Sequence, residues 1–482
     1  MVRWIAGTLE LSSKVRYGLT SRGVPLFRFV PYSKHLGPFA VGCQMKSIFY
    51  NVHAVVEPVE SNDTASHSLP RANLIQMFGP ITSESEKQVL LYTYAFNNTK
   101  ELRKYDPVEF PPPDLSTYTE MPPNSFTFHV DPDNCKDVDD AVTLLKLSDS
   151  SYRVWIHIAD VAAWIPEGST PDTDAYLRAT SFYTPNGHAI SPMFHTSISE
   201  TKASLYPDTK KKPALSLSFT WVRGQGLFDF SWHLSAIQCK GSYTYDQALE
   251  DLDELNDICM DLGANPADSH TWIQSLMILY NTHAGKILKE HSTGILRRQN
   301  GSIQEKVAQL HPFIGEYPEL ELLCYESAEY CLASDSNTHH VSLQTHSYAY
   351  ASSPIRRYVD LVNQRILKKI LFGISTQSNP DSSMISYLNQ REKQAKAFQR
   401  DLFFGTSISL LSDTSVKGVV ISPLKPNSKY RVYVPIWKRI IKVCCLNEPP
   451  PVGSQVSITW YHDRSQVNWK ERIVFSSIPS SH

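Results

Sequence analysis

The sequence predicts an α+β protein of several domains, with a small β-barrel at each end and a mixed α/β region between them. Three observations carry this prediction. Short apolar runs punctuated by Gly, Ser and Pro occupy residues 1–57 and return after Leu411, as the strands of small barrels do. Between them runs a long stretch whose apolar residues recur at helical spacing. A strand, an aspartate-rich loop and a second strand precede those helices.

At the N-terminal end, Gly7–Leu11, Pro25–Val30 and Val52–Glu57 read as barrel strands, and residues 58–72 as a loop. Residues 84–102 read as a connecting helix. The six prolines of residues 106–124 bar regular structure and suit a connector. Domains are therefore expected at 1–80, with a connecting helix and Pro-rich linker at 81–115, a central domain at 116–410 and a terminal barrel at 411–482.

Within the central domain, Leu249, Leu252, Leu255, Ile258 and Leu262 fall on one helical face. Trp272, Leu276, Leu279 and Tyr280 fall on a second helix, after a break at Gly263 and Pro266. A third helix is expected from Ser353 to about Phe372, with Pro354 in its first turn and Tyr358, Leu361, Val362, Ile366 and Ile370 facing inward. A fourth covers Ser383 to Phe404. Strands then resume at Val416–Ile421, Tyr430–Val434, Arg439–Val443, Gln455–Trp460 and Arg472–Phe475, most simply as an OB-like barrel.

Composition is that of a soluble globular chain: 482 residues, 41% hydrophobic, 20% charged, net charge −2. A charge so near zero neither favours nor excludes nucleic acid, because basic stripes coexist with acidic sites. The eight cysteines form no Cys-x-x-Cys pair, so neither a zinc ribbon nor a disulfide framework is indicated. No apolar run approaches the ~18 residues of a membrane span. A soluble protein of a reducing compartment is expected, cytoplasmic, with the nucleus left open and no membrane partner.

The decamer Asp131-Pro-Asp-Asn-Cys-Lys-Asp-Val-Asp-Asp140 carries five carboxylates against the single cation Lys136. Crowded carboxylates raise one another's pKa, so Asp131, Asp137, Asp139 and Asp140 point to a divalent cation, and hard oxygen donors suit Mg²⁺ or Mn²⁺. An EF-hand beginning at Asp131 would need Gly sixth and Glu twelfth, where Lys136 and Val142 stand. The flanking runs Ser125–Val130 and Ala141–Leu147 are strand-like, which places the acids on a rigid scaffold.

A second constellation is Tyr348-Ala-Tyr-Ala-Ser-Ser-Pro-Ile-Arg-Arg-Tyr-Val-Asp-Leu361. Two arginines opening a helix suit a phosphate, through guanidinium forks and free backbone N–H groups. The plainer alternative is that Arg356 and Arg357 pair with Asp360 or another acid.

These two segments, with Trp155-Ile-His-Ile-Ala-Asp-Val161 and Arg178-Ala-Thr-Ser-Phe-Tyr-Thr-Pro185 between them in the same order, resemble the ribonuclease II (RNB) family of exoribonucleases across roughly residues 116–410. The resemblance implies a cold-shock/OB-like barrel over residues 1–80, an RNB catalytic domain and a C-terminal S1-like OB-fold. It implies 3′→5′ hydrolysis of single-stranded RNA to nucleoside 5′-monophosphates with two metal ions. Asp131, Asp137 and Asp140 match the main metal-ligand positions and Asp139 the acid tied to the chemical step. Arg356 matches a phosphate-contacting arginine and Tyr183 an aromatic that clamps terminal nucleotides, while Arg357 is a further candidate for RNA contact.

In the N-terminal barrel, Arg16, Tyr17 and Arg22 suit an RNA-facing surface, since arginine and an aromatic contact phosphate and base. The segment Tyr430–Lys442 offers the same mixture. Some positions depart from the family pattern. Gln274 and Ser275 stand where acids are usual, Gln399 where glutamate is typical, and Gln364 where a histidine precedes Arg365. They leave two other readings open, a catalytically impaired RNA-binding member and a nuclease with relaxed ribose specificity. Physiological RNA, unwinding, processivity and oligomeric state are not legible.

Overall fold

The computed structural model describes residues 4–33, 35–45, 49–59, 69–96, 111–410, 415–424, 429–444, 449–463 and 472–478. They form two units. One comprises Met1–Lys100, Gly301–Glu326 and Lys396–His482, the other Glu101–Asn300 and Ser327–Ala395.

In the first unit, β1 (Ile5–Leu9), β2 (Leu26–Pro31), β3 (Phe39–Gly42), β4 (Val52–Pro58) and β5 (Arg71–Pro80) close a barrel in the order β1-β2-β3-β5-β4. Its interior is filled by Ile5, Leu9, Phe27, Phe29, Val41, Val52 and Val56. Gly7 lets β1 meet β2, because a Cβ there would lie 2.2 Å from the carbonyl oxygen of Val30. Helix α1 (Ser83–Leu90) starts at a capping box, in which Thr82 Oγ1 accepts from Ser85 N and Ser85 Oγ from Thr82 N. One π-helical turn, Leu91–Ala95, extends it. The rest of the helix expected over 84–102 lies outside the described residues, apart from Phe96.

A polar knot joins α1 to both barrels of this unit. Arg472 donates to Thr8 Oγ1 at 2.8 Å and to His53 Nε2 at 3.1 Å. Burial pushes His53 down to about 3, so it accepts as the neutral imidazole, and it pushes Glu86 up to about 7 against the opposing pull of Arg472. The folded unit therefore binds a proton at Glu86 that the unfolded chain releases near its ordinary value of 4.5. That contribution to stability is whole below about 4.5 and is lost as pH rises to about 7. In melting curves, Glu86→Gln is expected to match the wild type below about pH 4.5, to gain on it as pH rises to about 7 and to hold that gain at pH 8. A gap independent of pH would refute this.

The second unit is built on a seven-stranded sheet. Its strands are β6 (Thr119–Glu120), β7 (Phe126–Val130), β8 (Asp140–Ser148), β9 (Ser151–Ala159), β12 (Lys212–Val222), β13 (Gly226–Ile237) and β14 (Gly241–Tyr243), in the order β14-β7-β8-β9-β12-β13-β6. Between β9 and β12 lie helices α2 (Val161–Trp164) and α3 (Thr170–Arg178) and the paired strands β10 (Phe182–Tyr183) and β11 (Ala189–Ser191). The strand β6 lies inside the proline-rich stretch read as irregular, where Thr119 and Glu120 find edge pairing with Ser235 and Ala236.

One sheet face, with Val142, Ile156, Ile158, Leu215 and Leu217, shares its core with helices α4 (Tyr245–Asp251), α5 (Asp253–Met260) and α6 (Ser269–Glu290). Leu255, Ile258, Trp272, Leu276 and Tyr280 supply the helical side. Leu249, expected with them, is exposed, because α4 stops at Asp251 and a new helix starts at Asp253 on a different bearing. Across the other face runs a chain of hydroxyls and imidazole. Thr127 and Thr143 Oγ1 lie 2.6 Å apart, Thr143 Oγ1 is 2.7 Å from His157 Nε2, and His157 Nδ1 is 2.7 Å from Ser216 Oγ. Burial holds His157 down at about 3, so its neutral ring gives one donor and one acceptor to that chain.

Strands β15 (Ile295–Arg298) and β16 (Glu329–Leu332) pair, and the residues between them belong mostly to the first unit, with helices α7 (Gln304–Ile314) and α8 (Glu321–Cys324). Helix α9 (Tyr358–Phe372) begins five residues later than the sequence suggested, because Ile355 N donates to the Asp139 carboxylate and Arg356 O accepts from Ser181 N, which takes both groups out of helical bonding. From Tyr358 to Lys368 it is buried on every side. Its polar residues are paired accordingly: Arg365 with Asp172 at 2.8 Å, Lys368 with Asp160 at 2.5 Å, and Asn363 with Ile295 N and O at 2.8 Å. Gly373, at φ 70°, ends it in the left-handed conformation.

Helix α10 (Ser382–Leu410) begins in this unit, and its residues from Lys396 on belong to the first. There β17 (Val416–Leu424), β18 (Lys429–Val434), β19 (Arg439–Cys444), β20 (Gln455–His462) and β21 (Ile473–Ile478) close a second barrel, in the order β17-β18-β19-β21-β20. Leu310, Phe313 and Leu320 of the Gly301–Glu326 excursion pack on Val419, Ile421 and Tyr433 of this barrel. Tyr433 donates to Glu319 Oε1 at 2.7 Å. The aromatics of the Tyr430–Lys442 segment, Tyr430, Tyr433 and Trp437, are thus buried in protein rather than displayed.

Candidate functional site

The acidic decamer is the turn between β7 and β8. Asn134 takes φ 63°, a left-handed conformation that Asn tolerates, and Cys135 N closes a turn on Pro132 O at 3.1 Å. Val138 is fully buried and anchors the far limb, with its N–H on Ser204 Oγ at 3.1 Å and its carbonyl accepting from Leu205 N at 3.0 Å. Asp139 and Asp140 are therefore delivered at the start of a central strand and not on a loose loop.

Each acid has its own setting. Asp131, the first residue after β7, accepts from His129 Nδ1 at 2.8 Å, and its own N–H donates to Tyr243 O at 3.1 Å in line with the β7–β14 pairing. Asp137 accepts from the Tyr183 hydroxyl at 2.8 Å. Asp139, 4% exposed, accepts from Ile355 N at 2.8 Å and from Arg356 Nε at 3.3 Å. The carboxylate of Asp140 accepts no hydrogen bond among the described residues. Burial, ahead of the neighbouring Asp131 charge, pushes Asp140 up to about 7. Burial also raises Asp139 well above the carboxylate range, outweighing Arg356 and the Ile355 N–H. The Tyr183 phenol is raised by burial and by Asp137, so it stays protonated and donates.

The two arginines divide. Arg356 keeps 46% of its side chain exposed, with Nη2 on Ser353 Oγ at 3.1 Å. Arg357 donates to the fully buried Asp360 at 2.8 Å and lies over the Tyr350 ring at 4.0 Å. The pairing with Asp360 thus involves one arginine and leaves the other toward Asp139. Neither opens the helix as expected: Arg357 occupies the cap position before Tyr358.

Asp131, Asp137, Asp139, Asp140, Tyr183, Arg356 and Arg357 all lie in the second unit. Among the described residues, no three His, Cys, Asp or Glu side chains stand together as a ready metal-ligand set. Arg16, Tyr17 and Arg22 lie in the first unit. Arg16 donates to the carbonyls of Ser13 and Val15 and sits over Phe27 at 4.2 Å, Tyr17 is exposed, and Arg22 lines a groove of about 710 Å³ with Arg71, Asn73 and Met77. Gln364 clamps α9 to the end of β9, accepting from Ala162 N at 3.0 Å and donating to Ala159 O at 2.8 Å. Ser275 Oγ turns back to Trp272 O at 2.7 Å, while Gln274 and Gln399 are exposed.

Sequence reasoning missed His129, the Ile355 N–H and the Tyr183 hydroxyl as partners of the acids. Only His129 left a signal, its two-residue spacing from Asp131.

A seven-stranded sheet carrying a paired acid and arginine, in one chain with two closed five-stranded barrels, defines a multidomain α+β architecture. The RNB domain family matches residues 123–258 and 251–373, more than half of the chain, and the chain belongs to that family. It is 26% identical to Ribonuclease R of Helicobacter pylori, covering 56% of this chain and 53% of that protein. It is 24% identical to Exoribonuclease 2 of Sodalis glossinidius, covering 57% and 54%. The chain spans about half the length of the curated relatives it matches.

In fold it is similar to the apo form of Mycoplasma genitalium RNase R, with TM-score 0.76 and 14% identity over 99% of this chain and 90% of that one. It is likewise similar to yeast Ssd1, a pseudonuclease, with TM-score 0.70 and 17% identity over 92% and 65%. No helix among the described residues is long and apolar enough to cross a membrane.

Proposed function

We propose that this chain is a metal-dependent exoribonuclease that shortens single-stranded RNA from its 3′ end, releasing nucleoside 5′-monophosphates. The observation that carries the reading is the buried Asp139 held by Ile355 N–H and Arg356 while half of the Arg356 side chain stays open. The names of the relatives, Ribonuclease R and Exoribonuclease 2, support it, as does the likeness to Mycoplasma genitalium RNase R, solved in complex with ribose methylated single-stranded RNA. The free thiols of the described cysteines fit a reducing, cytoplasmic or nuclear compartment.

The donor set fits a hard divalent cation, because all its donors are oxygens and burial raises two of the carboxylates toward protonation, a strain that a nearby dication relieves. Asp131, Asp137 and Asp140 would hold two ions, Mg²⁺ or Mn²⁺, which when bound supply water activation and neutralisation of the leaving oxygen. The chain's own groups do the rest. Asp139, with its raised proton affinity and fixed orientation, is fitted to take a proton from the attacking water. Arg356 presents guanidinium N–H groups to the charge developing on the phosphate. Tyr183, its hydroxyl fixed on Asp137, offers a ring against which a terminal base stacks, worth about 1–3 kcal/mol whatever the base.

A binding-only reading has its own support. The usual acids are absent at Gln274, Ser275 and Gln399, and yeast Ssd1, a pseudonuclease, has a similar fold. Incubation of 5′-labelled single-stranded RNA with the protein in Mg²⁺, Mn²⁺ or chelator separates the two. A ladder shortening from the 3′ end with either metal and absent in chelator is the expected result. Bound but intact RNA in both metals would favour the binding protein.

A further inference from the structure

We infer that Asn281, on α6, is a positioning residue for the Asp139 and Arg356 pair and acts through the backbone of residues 351–357. The inference rests on the role given above to that pair. Residues 349–355 are largely buried, with Ala349, Ala351 and Ile355 at 1% exposure or less, yet they form neither helix nor strand. Buried irregular backbone has no ladder to satisfy it, so beyond the bond from Ala349 N to the Asn281 carbonyl at 3.4 Å the partners of its amide N–H groups come from side chains.

They do so in sequence. Asn363 donates to Tyr350 O at 2.8 Å, Asn281 Oδ1 accepts from Ala351 N at 2.9 Å, and Asp360 accepts from Ser353 N at 2.8 Å. The next free amide, Ile355 N, is the one that donates to Asp139. Asp360 is shared with Arg357, and Asn363 with Ile295. Asn281 gives its amide to this segment, with Nδ2 also donating to Ser352 Oγ at 3.1 Å and toward the Tyr348 hydroxyl at 3.4 Å. The chemistry selects asparagine, which alone with glutamine pairs an acceptor and a donor on one rigid amide.

Its anchorage is stiff. Asn281 is 2% exposed and sits within the 22-residue α6. One turn further on, a Cβ at Gly285 would lie 2.1 Å from Ser347 O, so helix and segment meet backbone to backbone. The amide of Asn281 is thus a fixed point from which the path to Ile355 and Arg356 is measured, without itself touching either.

The test compares wild type, Asn281→Ala and Asn281→Asp by hydrogen exchange over residues 350–357, by RNA affinity and by single-turnover cleavage. Asn281→Ala is expected to speed exchange in that segment alone and to slow cleavage by about 10²-fold, the cost of misplacing a reacting group by ~1 Å, with RNA affinity unchanged. Asn281→Asp keeps the acceptor for Ala351 N and is expected to fall between the two. Added to Arg356→Ala, Asn281→Ala is expected to cost less than it does alone, because the part of its effect carried by Arg356 is already lost and only the part carried by the Ile355 N–H to Asp139 remains.

Unchanged exchange over 350–357 in a natively melting Asn281→Ala protein, or full additivity with Arg356→Ala, would overturn the assignment. If Asn281→Ala does not fold, Asn281→Asp decides on the same exchange measurement. A wild type that cleaves no RNA would end the nuclease reading, and the exchange result would still decide the positioning.

Discussion

Asp139→Asn is expected to slow RNA shortening by about 10²–10⁴-fold, the range that a positioned proton acceptor contributes, while RNA affinity stays close to wild type. The amide keeps the size of the side chain. It can still accept from Ile355 N through its oxygen, but it then turns an NH₂ toward the Arg356 Nε that Oδ2 now accepts from. Two donors face each other, the proton acceptor is gone, and the cluster loses a charge. Single-turnover kinetics beside fluorescence anisotropy on one labelled RNA would show it, and turnover within a few-fold of wild type would remove Asp139 from the mechanism.

Arg356→Lys is expected to cost about 10²–10³-fold in turnover, the usual penalty for losing a donor aimed at developing charge. Lysine keeps the positive charge but not the fork. The guanidinium reaches Asp139 Oδ2 through Nε and Ser353 Oγ through Nη2 while half of the side chain remains accessible. A single ammonium cannot hold both contacts and still present N–H groups in a plane. A variant whose rate matches the wild type would show that charge alone suffices and that the fork is incidental.

Much of this arrangement was legible in the sequence wherever a local pattern had a local cause. Both barrels announce themselves because strands of four to ten residues separated by Gly and Pro leave few alternatives; each strand named from the sequence overlaps an observed one, while Phe39–Gly42 and Arg71–Pro80 were not among them. The acidic turn was legible because the strand-like runs on either side of its five carboxylates weigh against the plain alternative of a solvated loop. What stayed hidden depends on contacts distant in sequence. Helix α9 starts at Tyr358 because Arg356 O accepts from Ser181 N at 2.9 Å and Ile355 N donates to Asp139. No propensity at Ser353 or Pro354 records that competition. Leu249 kept perfect helical spacing and was still left outside, because a break at Leu252 reset the phase. The division of labour between Arg356 and Arg357 is decided by Asp360 and Tyr350, which the dipeptide itself cannot report.

The excursion between β15 and β16 bears on how such a chain can be shortened. The chain changes unit after residues 100, 300, 326 and 395, and the second and third of these changes send Gly301–Glu326 to the C-terminal barrel and back. A deletion from Lys396 onward would therefore do more than remove a terminal appendage. It would strip the cover from Leu310, Phe313 and Leu320, apolar side chains that residues outside the barrel do not replace, and leave them at the end of a long loop between two paired strands. The barrel is sewn to the rest of the chain by its middle as well as by its end, so a separable module in the linear map is not a separable module in the folded protein.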